Sequence, residues 1–385
     1  MAEAVRRAND SAKKTNGPLQ EYQELFRGEV EIKASRMVLG SFPSWYRNEP
    51  YCVPAYDYVA TLRPARVYAE HLAIITCDDT LVGETSKWLG RGLSHYAFKD
   101  LRLPAPRLLK GRVLDLLPGW DNFYHTLIEV APKFRTLERA GIDIRSFDHY
   151  LFGTPKRPFE REILERFGVP LDRIVDPAEA RHLEIEELVV PTVPFNDLND
   201  KFAVRNTHGP WITAYLQDHF LDEADRKSEL SRRRLYLSRR KAGMRRVANE
   251  DAVFEALQEH GFERIDADTY TVAEQARLFH SAEWIAGPHG AALANCIFCA
   301  PGTNLLELRA TEQRNGTDDC FNRLCSFGSL NHYLLFTDTV KDPDTPSQNR
   351  DLIADIDLLK QMLAGIEDNI TKPGNAVSAE RPDRS

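Results

Sequence analysis

The stretch EWIAGPHGAALANCIFCAPGTNLLELR, residues 283–309, decides the fold of the second half of this 385-residue chain. Its first run, EWIAG, is apolar and ends in a turn, and the small-residue segment GAALANCIF leads to a second apolar run, NLLELR. Short apolar runs bounded by Gly and Pro are typical of buried strands, and the segment between them is long enough for a helix. The stretch therefore predicts a strand, a helix and a second, parallel strand.

The same alternation extends upstream to about residue 232. RLYLSR and FERID predict two earlier strands, and between them Asn249 can cap a helix that stops at Gly261. Thr271 and Glu274 have capping-box spacing for the helix VAEQARLFH. Strands that alternate with helices in this way predict a parallel sheet that is covered on both faces.

The first part of the chain has a different pattern. Residues 50–118 predict short strands separated by Pro, Gly and Asp, and residues 121–140 predict a helix. Pro132 should kink or divide that helix because it cannot donate a backbone hydrogen bond. Four residues at helical spacing form its apolar stripe: Phe123, Leu127, Val130 and Phe134.

The predicted fold class is α/β throughout, with a boundary near residue 225. We expect polar, disordered ends at residues 1–20 and 371–385. The parts between them are a mixed α/β domain over 21–225, a Rossmann-like domain over 226–350, and a closing amphipathic helix over 351–370, within DLIADIDLLKQMLAGI.

Composition and charge are those of a soluble globular protein, with 42% hydrophobic and 28% charged residues. No apolar run is long enough for a membrane span, and the polar, basic N-terminus lacks the apolar core of a signal peptide. The net charge of −8 argues against nucleic acid as a partner, and six cysteines do not suggest a disulfide scaffold. We therefore expect a cytoplasmic protein without a membrane span.

Candidate ligand-binding residues follow the predicted strands, because ligands of open parallel sheets bind outside the carboxyl ends of the strands. The sequence places there Ser238, Arg239, Arg240 and Arg245 after the first strand, Gly287, His289, Gly290 and Ala291 after the third, and Glu307 near the end of the fourth. Arginines opposite a free helix N-terminus favour an anion, most simply a phosphate.

Each of these elements by itself has a plain structural alternative. Residues 232–246 carry eight positive charges and no negative one, which a solvated basic face also explains. The G-P-H-G turn around His289 needs no ligand. The prediction of an anion site rests on two separate loops that supply complementary parts, with Gly290 allowing the backbone to approach the ligand and Ala291 keeping the helix close to the sheet.

The second informative stretch is PGWDNFYHTLIEVAPKF, residues 118–134. On a helix, Asn122, His125 and Glu129 share a face, and a histidine beside a carboxylate suits proton abstraction. The alternative is an N-terminal cap, supplied by Asp121 or Asn122, followed by a solvated face.

Four cysteines, Cys296, Cys299, Cys320 and Cys325, have spacing that invites a zinc site. The first pair lies in the apolar segment LANCIFCAPG, where a free thiol behaves as a small hydrophobic group, so we predict burial and no metal. The sequence lacks H-E-x-x-H, D-x-D and G-x-S-x-G, and it also lacks the glycine fingerprints of dinucleotide and P-loop sites.

Together the two stretches resemble glycosyltransferase family 61, over about residues 110–335. That family includes bacterial capsule-type enzymes, plant β-1,2-xylosyltransferases and animal protein O-linked N-acetylglucosaminyltransferases. The motifs that carry the resemblance are D-N-F-Y-H at 121–125 with Glu129 and Pro132, Y-L-S-R-R at 236–240, N-E-D at 249–251, G-P-H-G-A at 287–291, F-x-x-P-G at 298–302 and L-E-L at 306–308. Cys296 and Cys299 depart from the pattern, since large apolar residues are usual there.

The resemblance implies a GT-B architecture, in which two Rossmann-like domains face each other across a cleft. It also implies an inverting, metal-independent transfer from a UDP-sugar to a glycan acceptor, with no cofactor. The first domain would be the acceptor side, where we expect His125, Glu129 or the two acting as a pair to be the base. The second would bind the donor through Arg239 and His289. A role in capsular or other surface polysaccharide synthesis follows, at the inner face of the membrane, with peripheral association.

Two other functions compete with this one. A non-catalytic nucleotide-sugar or glycan-binding protein on the same fold would not require the N-x-x-H-x-x-x-E face. A dinucleotide-dependent oxidoreductase lacks its glycine fingerprint. The transferred sugar, the linkage and the oligomeric state are not encoded in any motif of the sequence.

Overall fold

The structure is a computed structural model that describes residues 19–43, 46, 48–68, 73–82, 86, 102–192, 195–196, 204–205, 208–227, 232–312 and 319–371. The chain divides into two compact units. Unit 1 comprises Met1–Val30 and Val53–Gly209, and unit 2 comprises Glu31–Cys52 and Pro210–Ser385.

Both units combine strands with helices. In chain order, the strands are β1 (Leu19–Ile32), β2 (Met37–Leu39), β3 (Tyr51–Arg63), β4 (Ala65–Tyr68), β5 (Ala73–Thr76), β6 (Arg107–Asp115), β7 (His149–Leu151), β8 (Ile174–Val175), β9 (His182–Pro191), β10 (Phe195–Asn196), β11 (Val204–Arg205), β12 (Arg233–Leu237), β13 (Phe262–Ile265), β14 (Ala282–Pro288), β15 (Asn304–Ala310), β16 (Asn331–Thr339) and β17 (Leu352–Ile353). The helices are α1 (Phe123–His125), a π segment (Thr126–Val130), α2 (Ala131–Arg139), α3 (Pro158–Arg166), α4 (Pro177–Ala180), α5 (Trp211–Phe220), α6 (Glu223–Lys227), α7 (Glu250–Gln258), α8 (Val272–His280), α9 (Cys320–Gly328) and α10 (Ile356–Thr371). Short 3₁₀ helices cover Ile144–Ser146, Leu171–Arg173, Ala267–Thr269, Ala291–Phe298 and Ser347–Asn349.

Unit 1 contains a mixed sheet with the strand order β1-β3-β9-β6-β7-β8, to which β4 and β5 add beside β9. Strands β3 and β4 run antiparallel to β9, whereas β6 runs parallel to both β9 and β7. The prediction of a mixed α/β N-terminal part is therefore confirmed. The carboxyl end of β6, at Asp115, leads into the loop and helix that carry the D-N-F-Y-H motif.

The predicted helix over 121–140 is divided before Pro132. The N–H of Ala131 bonds to the carbonyl of Thr126, five residues back, which makes the turn Thr126–Val130 a π segment between α1 and α2. Proline supplies no N–H and its ring crowds the preceding turn, so a widened turn relieves the helix there. The predicted apolar stripe is buried at every position: Phe123, Leu127, Val130 and Phe134.

Unit 2 contains the predicted parallel sheet, with the order β13-β12-β14-β15-β16-β17 and β2 beside β16. All its pairings are parallel except that of β16 with β17. Because β12 has β13 on one side and β14 on the other, strand order reverses at β12, and the loops that follow β12 and β14 flank this switch point. One sheet face packs against α7 and α10 around Trp284, Leu306 and Tyr333.

Several boundaries differ from those predicted. Residues 31–52 join unit 2, because β2 pairs with β16, and the division that follows lies at Gly209 rather than near 225. Part of the predicted closing helix over 351–370 is the strand β17, and α10 begins only at Ile356. Pairing between distant segments leaves no local periodicity, so the sequence could not indicate it.

Some local predictions also need correction. The segment GAALANCIF forms a 3₁₀ helix at Ala291–Phe298. Asn249 precedes α7, but its side chain binds both backbone groups of Ala354 instead of capping the helix. The capping box of Thr271 and Glu274 is present.

The predicted disordered ends overlap the ordered chain by a few residues. Strand β1 begins at Leu19 and α10 extends to Thr371. The remainder of both predicted ends, residues 1–18 and 372–385, lies outside the described residues. Within the described ranges, no helix combines the length and the apolar character needed to cross a bilayer.

Candidate functional site

A histidine and a glutamate lie in direct contact at the start of the divided helix in unit 1. The Nδ1 atom of His125 is 2.5 Å from Oε1 of Glu129, and the other carboxylate oxygen, Oε2, accepts the backbone N–H of Gly119 at 2.7 Å. Glu129 is buried, whereas 18% of the His125 side chain stays exposed. We call Gly119, His125 and Glu129 the His–Glu cluster.

The geometry of this cluster leaves one imidazole nitrogen available. A carboxylate 2.5 Å from Nδ1 places the proton of the neutral imidazole on that nitrogen, as in a carboxylate-oriented base. Among the described residues, Nε2 of His125 has no hydrogen-bond partner. The arrangement can therefore accept a proton at Nε2, while Glu129 fixes the orientation of the ring.

Gly119 is required by close approach. A Cβ at this position would lie 2.9 Å from Oε2 of Glu129 and 3.3 Å from Nδ1 of His125. Glycine therefore lets the backbone reach the carboxylate and donate to it. The sequence interpretation did not single out this residue, although it directly precedes Trp120 and the D-N-F-Y-H motif.

A buried ion pair holds the loop that carries Gly119. The Nζ of Lys133 donates to the carbonyl of Asp115 at 2.9 Å and to its carboxylate at 3.2 Å, and both side chains are buried. The carboxylate of Asp115 also accepts the N–H of Leu117 at 3.0 Å. Lys133 lies one turn after Glu129, so this pair ties the end of β6 and the following loop to the same helix.

The other two residues predicted for this site have different positions. Asn122 accepts the N–H of His125 through Oδ1 at 3.3 Å, and so caps the helix. Asp121 is largely exposed, and the Arg157 guanidinium donates to its carbonyl at 2.6 Å. The structure thus brings His125 and Glu129 together, places Asn122 beside them as a cap, and leaves Asp121 at the surface.

In unit 2, the two predicted loops meet. A Cβ at Gly290 would overlap the guanidinium of Arg239 and approach its Cζ to 2.9 Å, so glycine is needed for this contact. The Nη2 of Arg239 donates to the carbonyl of Met244 at 3.1 Å, and its Nε has no partner among the described residues. Burial, followed by the charge of Arg245, lowers the pKa of Arg239 to about 10.

Arg245 adds a second cation at the same place. Its backbone lies in the left-handed region, at φ 55°, and its backbone N–H donates to the carbonyl of Asn349 at 3.2 Å. Burial lowers the pKa of its guanidinium, whose Nε makes no hydrogen bond to the described residues. Strained backbone and half-buried cations with spare donors are typical of anion sites. We call Arg239, Arg245, His289 and Gly290 the cationic cluster.

His289 is held from behind by a buried carboxylate. Its Nδ1 lies 2.5 Å from Oε1 of Glu307, and Nε2 of His332 lies 3.0 Å from Oε2 of the same residue. Burial raises the pKa of the Glu307 carboxyl, but the hydrogen bonds and charges of the two histidines outweigh burial and lower it well below its ordinary range. Burial also lowers the pKa of His289. The hydrogen bond and charge of Glu307 raise it, whereas the charges of Arg309 and Arg245 lower it further.

The directions of these shifts favour an ionised Glu307 and a neutral His289. An ionised Glu307 accepts from a neutral His289, which carries its proton on Nδ1. Glu307 is buried, and each of its two oxygens lies against a histidine nitrogen. Its position is that of a group that orients His289.

The remaining candidates in unit 2 make other contacts. Arg240 forms ion pairs with Asp251 and, at 3.5 Å, with Glu250 at the start of α7. Gly287 is a packing residue, since a Cβ there would lie 3.0 Å from Cβ of Leu237. Ser238 accepts the N–H of Arg240, and Ala291 begins the 3₁₀ helix beside Gly290.

Sequence reasoning missed His332 altogether. It is a buried polar residue within the apolar strand β16, and such a residue is the available sequence signal. The burial predicted for Cys296 and Cys299 is confirmed, and Cys325 is buried as well.

The comparison with known protein families bears on both clusters. Residues 123–306 match the family model described as Glycosyltransferase 61. The matched range contains His125, Glu129, Arg239 and His289, and it ends one residue before Glu307. No curated protein matches the chain.

Proposed function

The chain belongs to glycosyltransferase family 61, and on that premise we propose that it transfers a sugar from a UDP-sugar to a hydroxyl group of a glycan acceptor. The proposal includes inversion at the anomeric carbon, independence of metal ions and the GT-B arrangement, all of which the resemblance implies. One observation carries the proposed chemistry: the buried carboxylate of Glu129 holds Nδ1 of His125, while Nε2 has no bond to the described residues.

In the proposed step, His125 is the general base and Glu129 its positioning residue. Nε2 takes the proton of the acceptor hydroxyl as that oxygen bonds to the anomeric carbon. The bond from this carbon to the diphosphate breaks, and its electron pair leaves with the diphosphate. Glu129 stabilises the resulting imidazolium, and the N–H of Gly119 keeps the carboxylate in place.

The cationic cluster supports the assignment of the leaving group. Negative charge develops on the diphosphate as the bond breaks, and preorganised donors stabilise such charge most effectively in a buried setting. Arg239 and Arg245 are half-buried cations, and their Nε atoms are buried without a partner among the described residues. The 3₁₀ helix at Ala291–Phe298 begins beside Gly290 with backbone N–H groups that lack helical partners. A UDP-sugar supplies the complementary charge.

The biological setting is also a proposal. A glycosyltransferase of this family requires a sugar donor and a glycan acceptor, and capsular or other surface polysaccharide synthesis at the cytoplasmic face of the membrane uses such acceptors.

Two measurements test the proposed function. First, thermal shift with UDP, GDP and CMP, each with and without EDTA, should show stabilisation by UDP that EDTA does not change. Stabilisation by GDP or CMP alone would refute the donor assignment. Second, His125→Ala should lower turnover by about 100-fold or more, since general bases contribute factors of that size. It should leave UDP binding unchanged, and His149→Ala, which alters another part-buried histidine of unit 1, should retain turnover.

The outcome that contradicts the catalytic role is equally specific. If the wild-type protein binds UDP but neither transfers nor hydrolyses any UDP-sugar, the chain is a nucleotide-binding protein on this fold. If His125→Ala turns over at the wild-type rate, another group is the base.

A further inference from the structure

A hydrogen-bonded series of five side chains ends at His289. Ser35 Oγ lies 2.8 Å from Nδ1 of His332, and Tyr46 Oη lies 3.3 Å from the same Oγ. Nε2 of His332 reaches Glu307, and Glu307 reaches Nδ1 of His289. Ser35, His332, Glu307 and His289 are all buried.

Segment 31–52 supplies one end of this series. Strand β2 pairs in parallel with β16, which carries His332, and so brings Ser35 beside that histidine. Asn48 fixes Ser35 from the other side, since its Oδ1 accepts the N–H of Ser35 at 2.8 Å and its Nδ2 donates to the carbonyl at 3.1 Å. The segment therefore holds the serine hydroxyl in place at His332.

The hydrogen bonds determine which nitrogen of each histidine carries the proton. An ionised Glu307 accepts at both oxygens, which requires N–H at Nε2 of His332 and at Nδ1 of His289. With the proton of His332 on Nε2, its Nδ1 accepts the hydroxyl of Ser35. Nε2 of His289 is left with a lone pair, and it has no partner among the described residues.

The surroundings of Nε2 favour an anion together with a proton on this nitrogen. The groups that face His289 are Glu307 and Arg309 on β15, Phe321 on α9 and Arg245 in the loop after β12. His332 on β16 and Cys320 on α9 interact with Glu307. In the unliganded protein the arginines disfavour a second proton on His289. A phosphate oxygen offsets that charge, and it would be repelled by a bare lone pair.

We propose that Ser35, His332 and Glu307 are positioning residues that present Nε2 of His289 to a nucleoside diphosphate, and that binding of the diphosphate places one proton from solvent on this nitrogen. One N–H bond forms, and the proton then lies between His289 and a phosphate oxygen. The inference rests on the proposed function, because it takes the diphosphate to bind at the cationic cluster.

In this scheme UDP affinity depends on pH. Binding raises the pKa of His289, so the protonated contact is fully available below the pKa of the free protein. It is lost as the pH rises through the higher pKa of the complex. UDP affinity should therefore fall with rising pH across this window, and proton uptake should be greatest within it.

Calorimetric titration with UDP at about pH 7, in two buffers with different ionisation enthalpies, measures the protons taken up. The terminal phosphate of UDP titrates near pH ~6 by itself, so each variant is compared with wild type under the same conditions. Wild type should take up close to one proton more than His289→Gln. Glu307→Gln keeps the shape of the carboxylate but not its charge, and it should lose the same uptake and bind UDP about tenfold more weakly.

His332 offers a matched pair of variants. In His332→Gln, the amide donor of the new side chain lies near the position of Nε2, towards Glu307. In His332→Asn, the shorter side chain reaches only towards Ser35. His332→Gln should retain proton uptake and His332→Asn should lose it, a contrast that a merely structural role would not produce.

The results separate the two proposals. If wild type, His289→Gln and Glu307→Gln all bind UDP with the same proton uptake, the positioning role of the series is refuted and the proposed function stands. If wild type does not bind UDP at all, the donor assignment fails and the inference fails with it. Glu307→Gln is isosteric, so the test does not depend on whether the His332 variants fold.

Discussion

Replacement of Gly119 by alanine tests the His–Glu cluster with a single methyl group. The new Cβ would lie 2.9 Å from Oε2 of Glu129, where ordinary contact begins at 3.4 Å, so the carboxylate has to move by about 0.5 Å. The backbone of Gly119 is not in the left-handed region, and alanine therefore introduces no backbone strain of its own. The contact alone determines the effect.

The expected loss in kcat is about tenfold, because a displacement of ~1 Å in a catalytic group can cost about 100-fold. Steady-state transfer or UDP release with the identified donor measures it, and the KM for the donor should change little. Gly153→Ala is the matched control, since a Cβ there meets nothing within 4 Å. If Gly119→Ala turns over as fast as Gly153→Ala, Glu129 does not position the base.

Three further predictions concern the charged side chains Arg239, Lys133 and Glu307. Arg239→Ala should weaken UDP binding about tenfold or more in calorimetry without changing the unfolding midpoint. Arg240→Ala alters an arginine that is paired with carboxylates, and it should change UDP affinity less than about twofold. Equal effects of the two substitutions on UDP affinity would contradict the cationic cluster. Lys133→Met leaves the carboxylate of Asp115 buried without its cation and should lower the free energy of unfolding by about 3–5 kcal/mol in urea titrations, and a change below about 1 kcal/mol would show that the pair does not hold the loop. The pKa of Glu307 is depressed in the folded protein, so the stability that its ionised form contributes is fully present above the pKa of the unfolded chain, about 4.3, and declines below that pH. The difference in free energy of unfolding between wild type and Glu307→Gln should therefore shrink as the pH falls below ~4. A difference that stays constant down to pH ~3 would refute the depressed pKa.

The parallel sheet of unit 2 could be predicted because its signals are local. Apolar runs, glycine stops and the capping box of Thr271 and Glu274 are all read within a few residues, and each predicts one element. The carboxyl-end rule then directed attention to the loops that hold Arg239 and His289. Pro132 likewise indicated a divided helix, although not that a π turn would divide it.

Within the candidate sites, the contact of His125 with Glu129 follows from their spacing on one helix. The sequence could not distinguish Arg239 from Arg240, which are adjacent and chemically identical. Only the fold shows that α7 brings Asp251 to Arg240, while Arg239 packs on Gly290. The partner of a charged side chain depends on what surrounds it, and neighbours in space are not neighbours in sequence.

The amino-acid sequence by itself determined the resemblance to glycosyltransferase family 61, the α/β class and the two stretches of candidate site residues, because each depends on short-range patterns of residue type. Tertiary structure alone decided how the groups in these stretches are held. The N–H of Gly119 reaches Glu129 across a loop, and Ser35 reaches His332 only because β2 adds to the edge of a sheet almost 300 residues further along the chain. Hydrogen bonds of this kind form where the packing of distant segments excludes water, and local sequence carries no record of that packing.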